Sequence, residues 1–282
     1  MRIAVTGGSG LVGRRIVDHL SSTHEVSNLD LAPPPRSARG PRPTEHLRVD
    51  ILNLTQLCRA IDGADAVVHA AGLPGPSFGT DEEIFNVNVE GTRNVALACE
   101  RAGVLRTVFI SSEAVLGFVF AGRRAAPHYF PIDEEHPLAA SEPYGRSKLL
   151  AETVLSRQLT GDHVVVSLRP PWVWVPEEYD RCRRLTESPD DWRDGLWAYV
   201  HGDDLAVAAG LAATEPIAPG PYAVYVAAPD NGTVLATREL VTRHYPDVPV
   251  RGAVPEFGSL ISSDAAERLL GFRPAMSWRE FL

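Results

Sequence analysis

The chain has 282 residues, 44% of them hydrophobic and 22% charged, with 23 Gly, 23 Pro and a formal charge of -9. That composition holds enough apolar material for one compact core and excludes disorder and collagen-like repetition. The negative balance argues against a nucleic-acid or anionic-membrane surface, where clustered positive charge supplies most of the affinity, so the expected partners are small molecules.

The opening residues MRIAVTGGSG run into a strand and a Gly-rich turn without the pattern of an export signal. No stretch approaches the roughly 18 to 20 apolar residues that span a bilayer. A soluble, cytoplasmic chain is expected. Cys58, Cys99 and Cys182 are odd in number and widely spaced, suggesting neither a disulfide framework nor a zinc site, and no metal is expected.

Strands are predicted at Arg2 to Thr6, Glu25 to Asp30, Leu47 to Asp50, Ala66 to Ala70, Arg106 to Ile110 and His163 to Leu168. Helices are predicted between them at Leu11 to Ser21, Leu54 to Ile61, Glu82 to Ala102 and Pro143 to Leu159. Strands such as AVVHA are apolar on both faces, as in a parallel sheet covered by helices on each side. The expected fold is therefore a doubly wound α/β Rossmann sheet over residues 1–169. After Arg169 a stretch dense in Trp, Pro and charge shows no sustained period and reads as irregular. Helix signals return at Asp203 to Ala213, Thr237 to His244 and Asp264 to Leu270, with a strand-like YAVYVA between the first two. These pieces look too small for a separate core. They are expected to form a small substrate cap over 170–282, interleaved with the last sheet elements. The Pro- and Arg-rich segment 32–43 is expected to be an exposed loop.

TGGSGLVG, residues 6 to 13, follows the first predicted strand and opens the first helix. Gly8, Gly10 and Gly13 satisfy G-x-G-x-x-G, and Gly7, Gly10 and Gly13 a looser G-x-x-G-x-x-G. Either reading places a residue without a side chain at Gly10, where a pyrophosphate must approach backbone amides at the positive end of a helix. Asp30 ends the second strand 20 residues after Gly10, at the distance from which a carboxylate takes ribose hydroxyls. That carboxylate would repel a 2'-phosphate, so NAD is expected over NADP, although Arg14, Arg15, Arg36 and Arg39 are placed where they would meet such a phosphate.

Of the 27 basic residues 26 are arginine, and Lys148 is the single lysine. It follows Tyr144 by one helical turn in EPYGRSKLLAE, on a helix begun by Ser141 and Pro143, so both side chains share a face. An ammonium beside a phenol stabilises the phenolate, and its compact head also suits ribose hydroxyls. A solvated helix face is the plain alternative.

With these motifs in order, the chain resembles an extended short-chain dehydrogenase/reductase, the NAD-dependent epimerase/dehydratase superfamily. TGGSGLVG, Asp30, Val49 and Asp50, HAAG at 69 to 72, NVEGT at 88 to 92, ISS at 110 to 112, YGRSK at 144 to 148 and LRP at 168 to 170 carry the resemblance. It implies Ser112, Tyr144 and Lys148 as catalytic residues. It implies cofactor contacts from Gly7, Gly10, Leu11, Val12, Gly13, Asp30, Asp50, Ile51, Ala70, Ala71, Gly72, Asn88, Tyr144, Lys148, Pro170, Pro171 and Val173. His69 reads better as a satisfied core histidine than as a chemical group. The family's dehydratases place an Asp-Glu pair after the Ser or Thr, and Ala114 at the second position disfavours dehydration.

Nucleotide-sugar members continue for several tens of residues after the nicotinamide strand, whereas only 24 residues separate Pro176 from His201 here. A smaller substrate is implied. Compact members that look similar are the uronate dehydrogenases, on the strength of VPEEYDR at 175 to 181 and HGDD at 201 to 204. Glu113, Trp172 and Arg181 are the expected substrate residues. Arg181, Arg183 or Arg184 would suit a substrate carboxylate, but a surface run balancing Glu177, Glu178 and Asp180 is an equal reading, and a negative Glu113 would oppose a sugar acid. Asp203 and Asp204 are candidate caps of the following helix. The expectation is an NAD-dependent oxidoreductase of a small sugar, sugar acid or polyol. The alternatives are a nucleotide-sugar epimerase with tightly held NAD and a non-catalytic dinucleotide-binding protein. The resemblance also implies a homodimer through the helices beginning near Glu82 and Pro143.

Overall fold

The computed structural model describes residues 1–34, 44–121 and 126–281. Arg36 and Arg39, and most of the 32–43 loop, lie outside the described residues, as do positions 122–125 of the segment before Tyr144.

The first half alternates β1 (Arg2–Thr6), α1 (Gly13–Leu20), β2 (Glu25–Asp30), β3 (Glu45–Arg48), α2 (Leu54–Ala60), β4 (Ala66–His69), α3 (Asp81–Phe85), α4 (Gly91–Ala102), β5 (Arg106–Ile110), α5 (Pro143–Gln158) and β6 (Val164–Arg169). The second half adds β7 (Trp172–Trp174), α6 (Tyr179–Thr186), β8 (Tyr199–His201), α7 (Gly202–Thr214), β9 (Gly220–Tyr225), α8 (Thr237–His244), α9 (Asp264–Leu270) and α10 (Trp278–Phe281). Seven strands form one parallel sheet in the order β3-β2-β1-β4-β5-β6-β9. This is the doubly wound Rossmann-like arrangement.

The two-residue period of the strands divides the core. Ile3 and Val5 of β1 and Val164, Val166 and Leu168 of β6 pack with Ile16, Val17 and Leu20 of α1 and the Ala-rich face of α7. Ala4 and Val165 point the other way, onto Leu57, Val95, Cys99, Ala151 and Leu155 of α2, α4 and α5. Strand order reverses between β1 and β4, and that point opens a crevice at the carboxyl edge where such folds place ligands.

Three expectations change. The helix predicted from Glu82 to Ala102 is interrupted by a π-helical turn at Asn86–Glu90, a widened turn of the kind that often accompanies a functional side chain. The strand expected at Leu47 begins and ends two residues earlier, at Glu45–Arg48. The region after Arg169 is not wholly irregular. β7 and β8 pair in a small parallel sheet, α7 and β9 belong to the main layers, and Trp174, Trp192, Trp197, Tyr199, Leu240 and Trp278 share an apolar cluster with Leu116, Phe118, Phe130 and Ile132 of the first half. Aromatic bulk substitutes there for periodicity: Trp174 stacks on Tyr199 at 4.4 Å between ring centres. Among the described residues no helix is long and apolar enough to cross a membrane.

Candidate active site

The Gly-rich turn is built by close approach. Gly7 adopts φ +69°, and a Cβ there would stand 2.5 Å from the Ala71 amide nitrogen, so the turn after β1 lies against the turn after β4. Gly13 leaves no room either, with the Gly7 carbonyl 2.0 Å from where its Cβ would sit. The Leu11 and Val12 amides make no hydrogen bond to a described residue. They stand at the start of α1, where four amides lack helical partners and favour an anion. Asp30 accepts the Ser9 and Ala32 amides, each at 3.0 Å, and so both shapes the turn and keeps its carboxylate beside it. Asp50 and Ile51 follow β3. Ile51 packs against Gly91, and its carbonyl accepts the Asn94 side chain at 3.1 Å.

Arg14 and Arg15 both reach Glu177, Arg15 at 2.7 Å. Their expected availability to a 2'-phosphate is corrected accordingly: the pair clamps the segment after β7 to the start of α1.

Asn88, in the π-helical turn, accepts the Leu73 amide at 2.7 Å and donates to the Leu73 carbonyl and the Ser147 hydroxyl at 3.1 and 2.9 Å. It thereby ties the loop after β4 to α5. Gly72 lies beside it, at φ +156°, with Lys148 Nζ 3.8 Å from where a Cβ would stand. His69 is fully buried between Thr6 at 2.7 Å and Thr92 at 3.0 Å. Because Thr92 gives its proton to the Asn88 carbonyl, Nε2 of His69 must donate and Nδ1 accept. Burial, and secondly the Lys148 charge, lower its pKa to about 3, so it is a neutral core histidine.

Ser112 lies two residues beyond β5 and caps the 3-10 turn Glu113–Leu116, its oxygen accepting the Ala114 amide at 3.1 Å. Its hydroxyl faces the Tyr144 phenol and favours the phenolate. The helix α5 is capped by Glu142 rather than Ser141, through the Tyr144 and Gly145 amides, with Pro143 in its first turn. Lys148 lies one turn along. Its ammonium donates to the Ile110 carbonyl at 2.9 Å and stands 5.9 Å from the Tyr144 ring centre. Tyr144 and Lys148 thus share a buried face, and a solvated helix face is ruled out.

The electrostatics differ from expectation. Burial dominates and moves the phenol up to about 12; Glu142 and Glu113 push the same way, and only the Ser112 hydroxyl opposes them. Burial likewise lowers Lys148 to about 8, against the attraction of Glu152. The ammonium does not by itself make the phenol acidic in this state.

Glu113 is 5% exposed, its amide bound to the Pro170 carbonyl at 2.9 Å, and burial holds its carboxyl well above the usual carboxylate range. Pro170 and Pro171 link β6 to β7, which carries Trp172 and Val173. Trp172 packs on the rings of Trp174 and Trp192. Arg181 sits on α6, 63% exposed, over the Trp172 ring at 4.6 Å and 3.8 Å from Glu178. It is not brought to Tyr144, nor are the exposed Arg183 and Arg184. The expected caps of α7 are also reassigned: the His201 ring accepts the Asp203 amide at 3.2 Å, and Asp204 instead accepts the amides of Ala275 and Met276.

Two features escaped the sequence reading. Phe120 stands edge-on to Tyr144, ring centres 6.1 Å apart. Beneath the site, Arg169 makes a bidentate pair with Glu152 at 3.0 and 2.7 Å, and Ser111 donates to the same carboxylate at 2.6 Å. The i,i+4 spacing of Lys148 and Glu152 was a visible signal for the second; nothing in the sequence marked the first.

The family model described as NAD dependent epimerase/dehydratase family matches residues 3–187. The chain is 33% identical over 197 residues to the 3-beta-hydroxysteroid dehydrogenase of Mycolicibacterium neoaurum, covering 66% of this chain and 51% of that protein. It therefore spans about half the length of that relative. It is 30% identical over 204 residues to the L-arabinose 1-dehydrogenase (NAD(P)(+)) of Haloferax volcanii, covering 70% of this chain and 76% of that one. Among solved structures, MoeE5 in complex with UDP-glucose and NAD superposes with a TM-score of 0.74 at 24% identity, over 99% of this chain and 95% of that one. That likeness is one of fold.

Proposed function

The chain belongs to the NAD-dependent epimerase/dehydratase family, and from that premise we propose that it is an NAD-dependent oxidoreductase acting on a hydroxyl of a small sugar-like molecule. The observation that carries this reading is the convergence of Ser112, Tyr144 and Lys148 at the carboxyl edge of the sheet, beside the glycine turn.

The residues present fit NAD. The unpartnered Leu11 and Val12 amides suit its pyrophosphate, Asp30 its adenosine ribose, and Asp50 and Ile51 border the adenine position. Ala70 to Gly72, Asn88, Pro170, Pro171 and Val173 frame the remainder. When bound, NAD supplies a hydride acceptor and a positive charge beside the phenol.

Ser112 orients the substrate hydroxyl through its own hydroxyl, which faces Tyr144. Tyr144 takes the hydroxyl proton as the general base, a role that requires its acidity to rise when positive charge enters the site. Lys148, fixed by the Ile110 carbonyl, holds the nicotinamide ribose and adds a cation to the same pocket. The direct test is a screen of free sugars, sugar acids and cyclitols, with nucleotide sugars alongside, for growth of the reduced-cofactor absorbance. Net NADH formation supports the reading. Interconversion of a nucleotide sugar without NADH release would replace it with the epimerase reading, to which the short stretch between Pro176 and His201 gives little clamping surface.

A further inference from the structure

Resting on that reading, we propose that the substrate is an uncharged cyclic sugar or polyol, which lays a C–H face on Phe120 and offers Glu113 a hydroxyl next to the reacting one.

Phe120 holds φ +62°, a left-handed conformation that a bulky residue adopts only when its surroundings impose it. The ring is 52% exposed yet stands against the edge of Tyr144. A strained backbone that keeps a large aromatic in solvent, beside the reacting phenol, has the form of a wall waiting for an apolar surface. Pyranose and cyclitol rings present such a surface in their axial C–H groups, and the negative face of an aromatic ring attracts it.

Glu113 supplies the second observation. The residue is 5% exposed, its carboxyl makes no hydrogen bond to a described residue, and it lies close enough to the Tyr144 phenol to act on its acidity. A carboxyl that no described residue binds keeps its hydrogen-bonding capacity for a ligand. In its neutral form the carboxyl offers one donor and one acceptor, the complement of a hydroxyl. Its electrostatic effect on the Tyr144 phenol puts that partner in the same pocket as the reacting oxygen.

The charges present disfavour a sugar acid. Among the described residues no arginine contacts Ser112, Glu113 or Tyr144; Arg181 is engaged with Trp172 and Glu178. A carboxylate brought beside Glu113 would meet a second acid with no guanidinium to compensate it.

The test compares kcat/KM with NAD for free pentoses, free hexoses, myo-inositol and glucuronate, in the unmodified chain and in Phe120→Ala, Glu113→Ala and Glu113→Gln. The best uncharged compound is expected to exceed glucuronate by at least about tenfold. Phe120→Ala and Glu113→Ala are each expected to raise KM by about tenfold with a smaller change in kcat, while Glu113→Gln, which keeps a donor and an acceptor, restores most of the loss and controls for folding. Preference for glucuronate, or an unchanged KM in both alanine variants, overturns the proposal and leaves NAD-dependent oxidation standing. Failure of every compound to reduce NAD, in protein that binds NADH, overturns the oxidoreductase reading as well.

Discussion

Lys148 Nζ lies 5.9 Å from the centre of the Tyr144 ring and donates to the Ile110 carbonyl at 2.9 Å. Burial drives both groups toward their neutral forms, the phenol up to about 12 and the ammonium down to about 8. Oxidation needs the phenolate, so its rate is expected to climb about tenfold per pH unit on the acid side. The climb bends near pH 8, where the ammonium begins to lose its proton. In Lys148→Arg, whose guanidinium stays charged, the bend should vanish at reduced overall rate. The pH dependence of kcat for the two proteins checks this.

Glu152 and Arg169 form a charge pair with both side chains at most 10% exposed, and removing either partner strands the other. Glu152→Gln and Arg169→Met are each expected to cost about 3 kcal/mol in urea unfolding. Glu152→Gln should also move the bend in the rate profile to lower pH, since Glu152 is what opposes the fall of the Lys148 pKa. A loss of stability without that displacement would make the pair purely structural.

The fold was largely legible because its signals are local. β1, β2 and β5 fall where two-residue and glycine patterns placed them, and α8 and α9 where helical spacing did. Tyr144 and Lys148 were legible for the same reason, being one turn apart. The region after Arg169 was not: Trp174, Trp197 and Tyr199 pack with Leu116, Phe118 and Phe130 through contacts between distant segments, which leave no period. The acidity of Tyr144 was misjudged because spacing reports proximity and not burial. Arg14 and Arg15 look free in sequence only because Glu177 is more than 160 residues away.

Glu113 gives a stability signature with a definite sign. Burial raises its carboxyl well above the usual value of 4.5, so between that value and the raised one the folded chain keeps a proton that the unfolded chain has released. Stability from this group is therefore present at low pH and is lost as pH rises through the folded value. Glu113→Gln lacks the titration, and its melting temperature relative to the unmodified protein is expected to increase from pH 5 to pH 8. A flat or opposite difference would contradict a buried neutral acid.

Asp30 accepts the Ser9 and Ala32 amides, and in the proposed reading its carboxylate faces the adenosine ribose and so opposes a 2'-phosphate. Asp30→Asn removes the negative charge and keeps an acceptor. The ratio of kcat/KM for NADP to that for NAD is expected to rise by about tenfold, without reversing the preference, because Arg14 and Arg15 remain bound to Glu177.

The most direct measurement concerns the phenol itself. NADH binding by fluorescence and steady-state oxidation of the best free sugar are compared in the unmodified protein and in Tyr144→Phe. A base acting through that one oxygen requires turnover to fall by about 10² to 10⁴ with NADH affinity nearly unchanged. Turnover within a few-fold of the unmodified protein would contradict it.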